Sequence, residues 1–313
     1  GRADCPHGPD VPPGAMGVQY FKRGRNVKGL SSSFRKATPK GMDVLINDDS
    51  MTEHNQWLDA LGDLPNVLLV HSPNIHEIRG YNRLGKLTNA ELVGFMQDDD
   101  NTENPGWMQS AAELFKSFPK MALLGGRAGR MDTGKVMEVK GKRKIPGYMP
   151  GPLWQNDGPK YGWKFTRMTE MDPRSGVPFT YVYKVNASPL VVKRSVFLQL
   201  GMFHKGYSCL GMSGISFDFE YSVRNWKYGH RVGLFYSSFS DFDNSRSSGT
   251  WKSVNAVKNR MVTWRRNNLM IYYMYPNFHH RVGTQLPVEA NKETRLTKIS
   301  CSMKRNPTFK CKV

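Results

Sequence analysis

Two clusters of carboxylates stand directly after short apolar runs, VLINDDS (44–50) and LVGFMQDDDN (92–101). Adjacent acids repel one another and destabilise a strand end unless something positive sits among them. A hard divalent cation suits such a place, because it takes oxygen ligands and keeps positions for water and phosphate oxygens. Bound there, it acts as a Lewis acid that offsets charge on a departing phosphate. Asp98, Asp99 and Asp100 are the candidate ligands; Asp48 and Asp49 remain to hold ribose hydroxyls or a base edge.

The elements that must position these acids read as alternating strands and helices. Residues 1–17 are rich in Gly and Pro and predict an irregular arm, so the fold is expected to start at the strand VQYF (18–21). Val27, Leu30 and Phe34 then recur at helical spacing. Strands follow at 42–47, 66–72, 91–96 and 121–126, with helical segments around Trp57 and from Ile75 to Leu87 between them. Alternation of this kind implies right-handed crossovers and a largely parallel sheet. Ligands of such sheets bind outside the carboxyl ends of the strands, where both acid clusters fall. Residues 127–180, which carry the basic run KGKRK (140–144), predict a long flexible loop region. Order is expected to return at VVKRSVFLQLGMF (191–203) and at FDFEYSVRNWKYGHRVGLFY (217–236), a helix closing at Gly229 and feeding a strand.

Composition narrows the class. The 313 residues, 39% hydrophobic, suffice for one large core or two modest ones. Lys and Arg outnumber Asp and Glu by 45 to 26, a formal charge of +19 that attracts nucleotides, acidic glycans or anionic membrane. No window holds eighteen uninterrupted apolar residues. The start at Gly1 rather than Met leads us to expect that a membrane anchor or targeting segment has been removed from the N-terminus. Cys5, Cys209, Cys301 and Cys311 lack metal-ligand spacing; three lie near the termini, where disulfides would staple the ends, favouring an oxidising compartment.

Three motif readings compete on spacing alone. Asp98-Asp99-Asp100-Asn101-Thr102 fits the DxDxT of haloacid-dehalogenase-type phosphatases, with Asp98 as nucleophile, although no GDxxxD follows and three strands precede it. Residues 129–135, GRMDTGK, match a P-loop, but Val136 offers no hydroxyl for Mg²⁺. Calcium loops starting at Asp98 or Asp241 lack the required glycine and twelfth-position glutamate. A non-enzymatic polyanion-binding module, with the +19 charge as its function, is a further alternative.

Four stretches in order resemble the GT-A nucleotide-sugar glycosyltransferases, family 2 in particular: VLINDDS (44–50) for a strand ending in DDxS, FMQDDD (95–100) for the DxD motif, VVKRSVFLQLGMFHK (191–205), and FDFEYSVR (217–224) with Gly229 for the helix EDxDLxxRxxxxG. The resemblance covers about 18–275 and implies a Rossmann-like single domain with a mostly parallel central sheet flanked by helices. Residues 18–126 would bind the donor, 127–275 would bind the acceptor and carry catalysis, and 276–313 would form a C-terminal extension.

The reaction it implies is metal-dependent transfer of a hexosyl or pentosyl group, with inversion, from a nucleoside-diphosphate sugar, UDP-linked by preference, to a hydroxyl of a glycan, glycoprotein or other acceptor. Asp48 and Asp49 would contact the nucleoside, Asp98 and Asp99 the donor, and Asp100, with Asp98, would hold Mn²⁺ or Mg²⁺. Asp218 would be the general base; its neighbours Phe217 and Phe219 can desolvate it. Departures are Phe217 where the family has Glu, a stretched Asn82-Arg83-Leu84-Gly85, and SFSDFDNS (238–245) in place of a metal-binding histidine, for which either Asp241 or Asp243 would substitute or the metal would rely on Asp100 and the phosphates. Arg79 and Asn82 are further donor candidates, Glu220 and Trp251 acceptor candidates; Trp264 is weighed between acceptor stacking and core, and Arg265 and Arg266 between phosphate contact and a basic helix face. Nucleic acid is not an expected partner, and the lumen of the Golgi is the expected location, with the cytoplasm as the alternative.

Overall fold

The computed structural model describes residues 14–126 (bar 40, 62, 65 and 103), 129–130, 137–139, 142–144, 170–241 (bar 188) and 253–294 (bar 279–280 and 283–284). The first half runs β1 (Gly14–Tyr20), α1 (Gly24–Ala37), β2 (Asp43–Asp48), α2 (His54–Leu61), β3 (Val67–His71), α3 (His76–Leu87), β4 (Leu92–Gln97), β5 (Asp100–Asn101), α4 (Trp107–Ser117) and β6 (Met121–Gly125). Short strands follow: β7 (Gly129–Arg130), β8 (Met137–Val139), β9 (Lys142–Lys144), β10 (Glu170–Met171), β11 (Pro178–Tyr181) and β12 (Lys184–Val185). The chain closes with β13 (Leu190–Lys193), α5 (Arg194–Gln199), α6 (Phe217–Lys227), β14 (Arg231–Phe235), β15 (Ser240–Asp241), α7 (Val254–Met274) and α8 (Leu286–Glu293).

Nine strands form one sheet in the order β10-β11-β14-β6-β13-β4-β1-β2-β3. Parallel pairing joins β3, β2, β1 and β4, and separately β6 and β14, whereas β11 and β13 run antiparallel to their neighbours. The sheet is therefore mostly parallel and flanked by helices, as expected. Two features differ from expectation. β1 takes in Gly14 to Gly17 rather than opening at Val18, because it lies between β2 and β4 and needs small residues: a Cβ on Gly17 would come within 3.3 Å of Leu84 and Phe95 side chains. The apolar stretch 191–203 also divides, its first residues forming the antiparallel β13 wedged between β4 and β6.

Buried aromatics fasten α3, α5 and α6 to this sheet. Phe203 stacks edge-on against Phe197, Phe217 and Tyr221 at centroid separations of 4.9, 4.9 and 5.2 Å, and Phe95 of β4 joins them. Phe217, which replaces an expected glutamate, is thus a core anchor that holds the start of α6. The P-loop-like residues after Arg130, most of the 127–180 region, Trp251 and Asp243 lie outside the described residues, as do Cys5, Cys301 and Cys311. Cys209 is a free, exposed thiol.

Candidate active site

β1, β2, β3 and β4 end flush, with Tyr20 opposite Asp48, Asp48 opposite His71, and Gln19 opposite Gln97. The loops that leave this edge hold four non-glycine residues in the left-handed region, Lys22 (φ 50°), Met51 (59°), Asn74 (53°) and His76 (64°). Such conformations cost energy and persist where surrounding structure imposes them, commonly at ligand sites.

The three aspartates after β4 receive their positive neighbour from the loop after β1. Arg23 Nη1 lies 3.0 Å from Asp98 Oδ1 and 2.7 Å from Asp99 Oδ2. The Phe21 N–H donates to Asp98 Oδ2 (3.0 Å), and Asn26 Nδ2 donates to the Asp98 carbonyl (2.8 Å). Burial pushes the Asp98 carboxyl up to about 7, with Arg23 opposing the rise. Asp100 is fully buried and accepts from the Gln97 N–H (2.7 Å). Its strand β5 pairs antiparallel with β15, setting the Asp241 backbone opposite Asp100. Thr102 is tied to α1, its N–H donating to Ser33 Oγ (3.0 Å) and its carbonyl accepting from that hydroxyl (2.6 Å).

The acids after β2 diverge. Asp48 Oδ1 accepts from the Ser50 N–H and hydroxyl and the Met51 N–H (3.0, 2.7 and 3.1 Å), a local turn of the kind aspartate favours. Its buried Oδ2 has no hydrogen-bond partner among the described residues and sits 3.6 Å from His71 Nδ1. His71 in turn meets His54, with Nε2 and Nδ1 3.0 Å apart. Asp49 has a different task from the nucleoside contact expected of it. Its oxygens accept from Ser72 Oγ (2.6 Å) and from the Ile75 and His76 N–H groups (2.7 and 2.6 Å), which fixes the start of α3. Ser72 continues inward to Asn47 and Gln19 (2.8 and 2.9 Å), a buried polar chain crossing three strands. Gly80 admits α3 to this chain, since a Cβ there would stand 1.7 Å from Gln19 Oε1.

Along α3, Asn82 and Arg79, of which donor contacts were expected, both make contacts within the chain. Asn82 grips the Phe203 main chain with both ends of its amide (2.8 and 2.9 Å), leaving its carbonyl and NH₂ engaged within the core. Arg79 donates to the Ser208 carbonyl (3.2 Å). The residue of α3 that does reach the site is Glu77. Its Oε1 accepts from Gln97 Nε2 (3.0 Å), one residue before the aspartates, and its Oε2 from the Gly214 N–H (3.0 Å), four residues before Asp218.

Asp218 lies in the first turn of α6, after Ser216 in the left-handed region (φ 64°). Its Oδ2 accepts from the Ala187 N–H (2.8 Å) and its Oδ1 from the Phe219 N–H (2.9 Å). Burial pushes its carboxyl up to about 6 against those bonds. Glu220 falls two positions on, about 200° around the helix, and so faces away. It is fully buried in an ion pair with Arg224 and accepts from the Tyr275 hydroxyl (2.5 Å); Arg224 also holds the Leu200 and Met202 carbonyls. That arrangement makes Glu220 part of the scaffold rather than the acceptor site expected. From α7, Arg260 approaches Glu77 and Asp218, which counter the lowering of its pKa by burial. Arg265 and Arg266 are exposed on the helix's other side, and Trp264 is half-buried.

Arg23, Glu77, Gln97 and Arg260 are thus the site residues that the sequence did not point to. Among the described residues no three His, Cys, Asp or Glu side chains are gathered as a ready-made metal site.

Neither protein-family models nor curated protein sequences match the chain. Solved structures do. The mannosyltransferase PcManGT from Pyrobaculum calidifontis, in complex with GDP-Man and Mn²⁺, matches with TM-score 0.53 at 10% identity over 96% of this chain and 76% of that one. GalNAc-T7, with UDP, GalNAc and Mn²⁺, matches with TM-score 0.56 at 11% identity over 96% of this chain; the chain spans 57% of its length. The chain therefore has the GT-A fold of nucleotide-sugar glycosyltransferases.

Proposed function

We propose that the protein transfers a glycosyl group from a nucleoside-diphosphate sugar, UDP-linked by preference, to an acceptor hydroxyl with inversion. The observation that carries this reading is the bridge through Glu77, which ties the loop of acids after β4 to the loop that precedes Asp218. The carboxylate cluster after β4 and the loop before Asp218, whose carboxyl is raised by burial to about 6, are thereby tied to one side chain. The fold it shares with two Mn²⁺-bound, nucleotide-bound transferases supports the same reading.

Asp98 and Asp100 offer hard carboxylate oxygens, the chemistry that fits Mn²⁺ or Mg²⁺, and would hold such an ion together with diphosphate oxygens. When bound, such an ion supplies Lewis-acid stabilisation of the leaving diphosphate. Asp48 Oδ2, buried and lacking a hydrogen-bond partner among the described residues, is suited to accept an N–H of the base, because an unsatisfied buried acceptor costs stability until a ligand fills it. Asp218 takes the proton of the acceptor hydroxyl as its oxygen bonds to the anomeric carbon and the bond to the diphosphate breaks. Arg260 adds positive charge beside that reaction space.

The phosphatase alternative loses support from the structure, since the acids follow β4 rather than the first strand. The test is a thermal-shift panel of UDP-, GDP- and dTDP-sugars with and without Mn²⁺. A metal-dependent rise with one nucleotide, followed by transfer to an acceptor, supports the reading. An aspartyl-phosphate trapped at Asp98 overturns it.

A further inference from the structure

α7 is attached to the rest of the molecule by a narrow stripe. Of its 21 residues only Asn267 and Ile271 are buried, and Asn267 Nδ2 donates to the Tyr207 and Ile215 carbonyls (2.9 and 2.6 Å). The opposite side exposes apolar side chains at helical spacing: Val254 (73% exposed), Val262 (66%), Leu269 (56%) and Tyr273 (75%). Exposed large apolar groups scattered singly need no account, but a row along one helix face marks an interaction surface. Between them stand Lys258, Arg265 and Arg266, all exposed, and no Asp or Glu occurs anywhere in 254–274.

We infer that this face of α7 docks on an anionic lipid bilayer. The interleaving of charge and apolar surface decides between occupants. A protein partner's contact patch segregates an apolar centre from a polar rim, and burying Arg265 beside Met261 and Leu269 without a counter-acid would leave an unpaired charge. At a bilayer the same cations extend past the apolar side chains to lipid phosphates, and tyrosine sits at the headgroup level. The +19 charge of the chain complements an anionic surface over longer range. α7 lies on the surface rather than across it, since no helix among the described residues is long and apolar enough to span a membrane. The inference rests on the outward face alone and is independent of the glycosyl-transfer reading.

The test is co-sedimentation of the full chain with vesicles of phosphatidylcholine alone and of phosphatidylcholine with phosphatidylserine. Binding is expected only to the second, and to weaken with added salt. The double variants Leu269→Glu/Tyr273→Glu and Arg265→Gln/Arg266→Gln are each expected to bind about tenfold or more weakly, with melting temperatures like the parent's because the altered side chains are exposed. Absence of binding by the parent, or binding that the Leu269→Glu/Tyr273→Glu variant retains, overturns the proposal. So does a dimer in sedimentation velocity that this variant alone dissociates, which would assign the face to a second copy.

Discussion

The Gly214 N–H donates to Glu77 Oε2 at 3.0 Å, joining residues 137 positions apart in the chain. With the 3.0 Å bond from Gln97 to the other oxygen, one side chain spans the acids after β4 and the loop before α6. Glu77→Gln offers one carbonyl oxygen to two donors, so one bond is lost, at about 1–2 kcal/mol. Turnover is expected to fall about tenfold, with donor affinity also weakened and the fold intact. Transfer kinetics beside a far-UV melt checks this; an unaltered rate would remove Glu77 from the site.

Asp218→Asn separates catalysis from stability. Loss of the proton acceptor is expected to lower transfer by about 10²–10⁴-fold while leaving donor-induced thermal shifts in place. In the parent, activity should fall as pH drops through about 6, where the carboxyl takes up its proton.

The same carboxyl sets a pH dependence of folding. Because its pKa is raised from 3.8 in the folded state, it favours the fold below about pH 4, and that contribution is lost as pH rises through 6. Relative to the parent, Asp218→Asn is therefore expected to gain on the order of 1–3 kcal/mol between pH 4 and pH 8. Urea unfolding at the two pH values measures the difference, and an equal effect at both would contradict the burial of a titrating group.

Arg23 is the resident counter-ion of Asp98 and Asp99 and so competes with any cation those acids bind. Arg23→Gln is expected to melt several degrees lower without metal, consistent with about 1–3 kcal/mol for a broken, partly buried pair. Its rise in melting temperature on adding Mn²⁺ should exceed that of the parent, whereas Asp100→Ala should lose the rise. Differential scanning fluorimetry over a Mn²⁺ titration distinguishes these outcomes.

Gly80→Ala places a methyl 1.7 Å from where Gln19 Oε1 now lies. Gln19 cannot move without releasing Asn47, so a loss of about 2–4 kcal/mol is expected from overpacking and a broken buried hydrogen bond. Chemical denaturation gives the number directly.

Much of the sheet was legible because β2, β3, β4 and β6 are short apolar runs, and the acids that follow β2 and β4 fall on the expected edge. β1 was read four residues short, since Gly14 and Gly17 look like loop residues until their crowded neighbours are known. Asp48 and Asp49 are indistinguishable as letters; only the turn after β2 decides that one faces the edge and the other caps α3. Glu77 and Arg23 carry no local signature, because their roles arise from contacts across 137 and about 75 positions. The apolar face of α7 is marked out by its exposure, which the letters alone do not carry.

The wedged strand β13 has a consequence for how such a molecule can change. It is hydrogen-bonded to β4, which delivers the aspartates, and to β6, whose other neighbour β14 follows directly from the helix of Asp218. Among the described residues these strands form one unbroken ladder, so the sheet moves as a unit. Loops around that edge can be lengthened, shortened or replaced while the strands that carry the acids after β4 and follow α6 keep their places in one sheet.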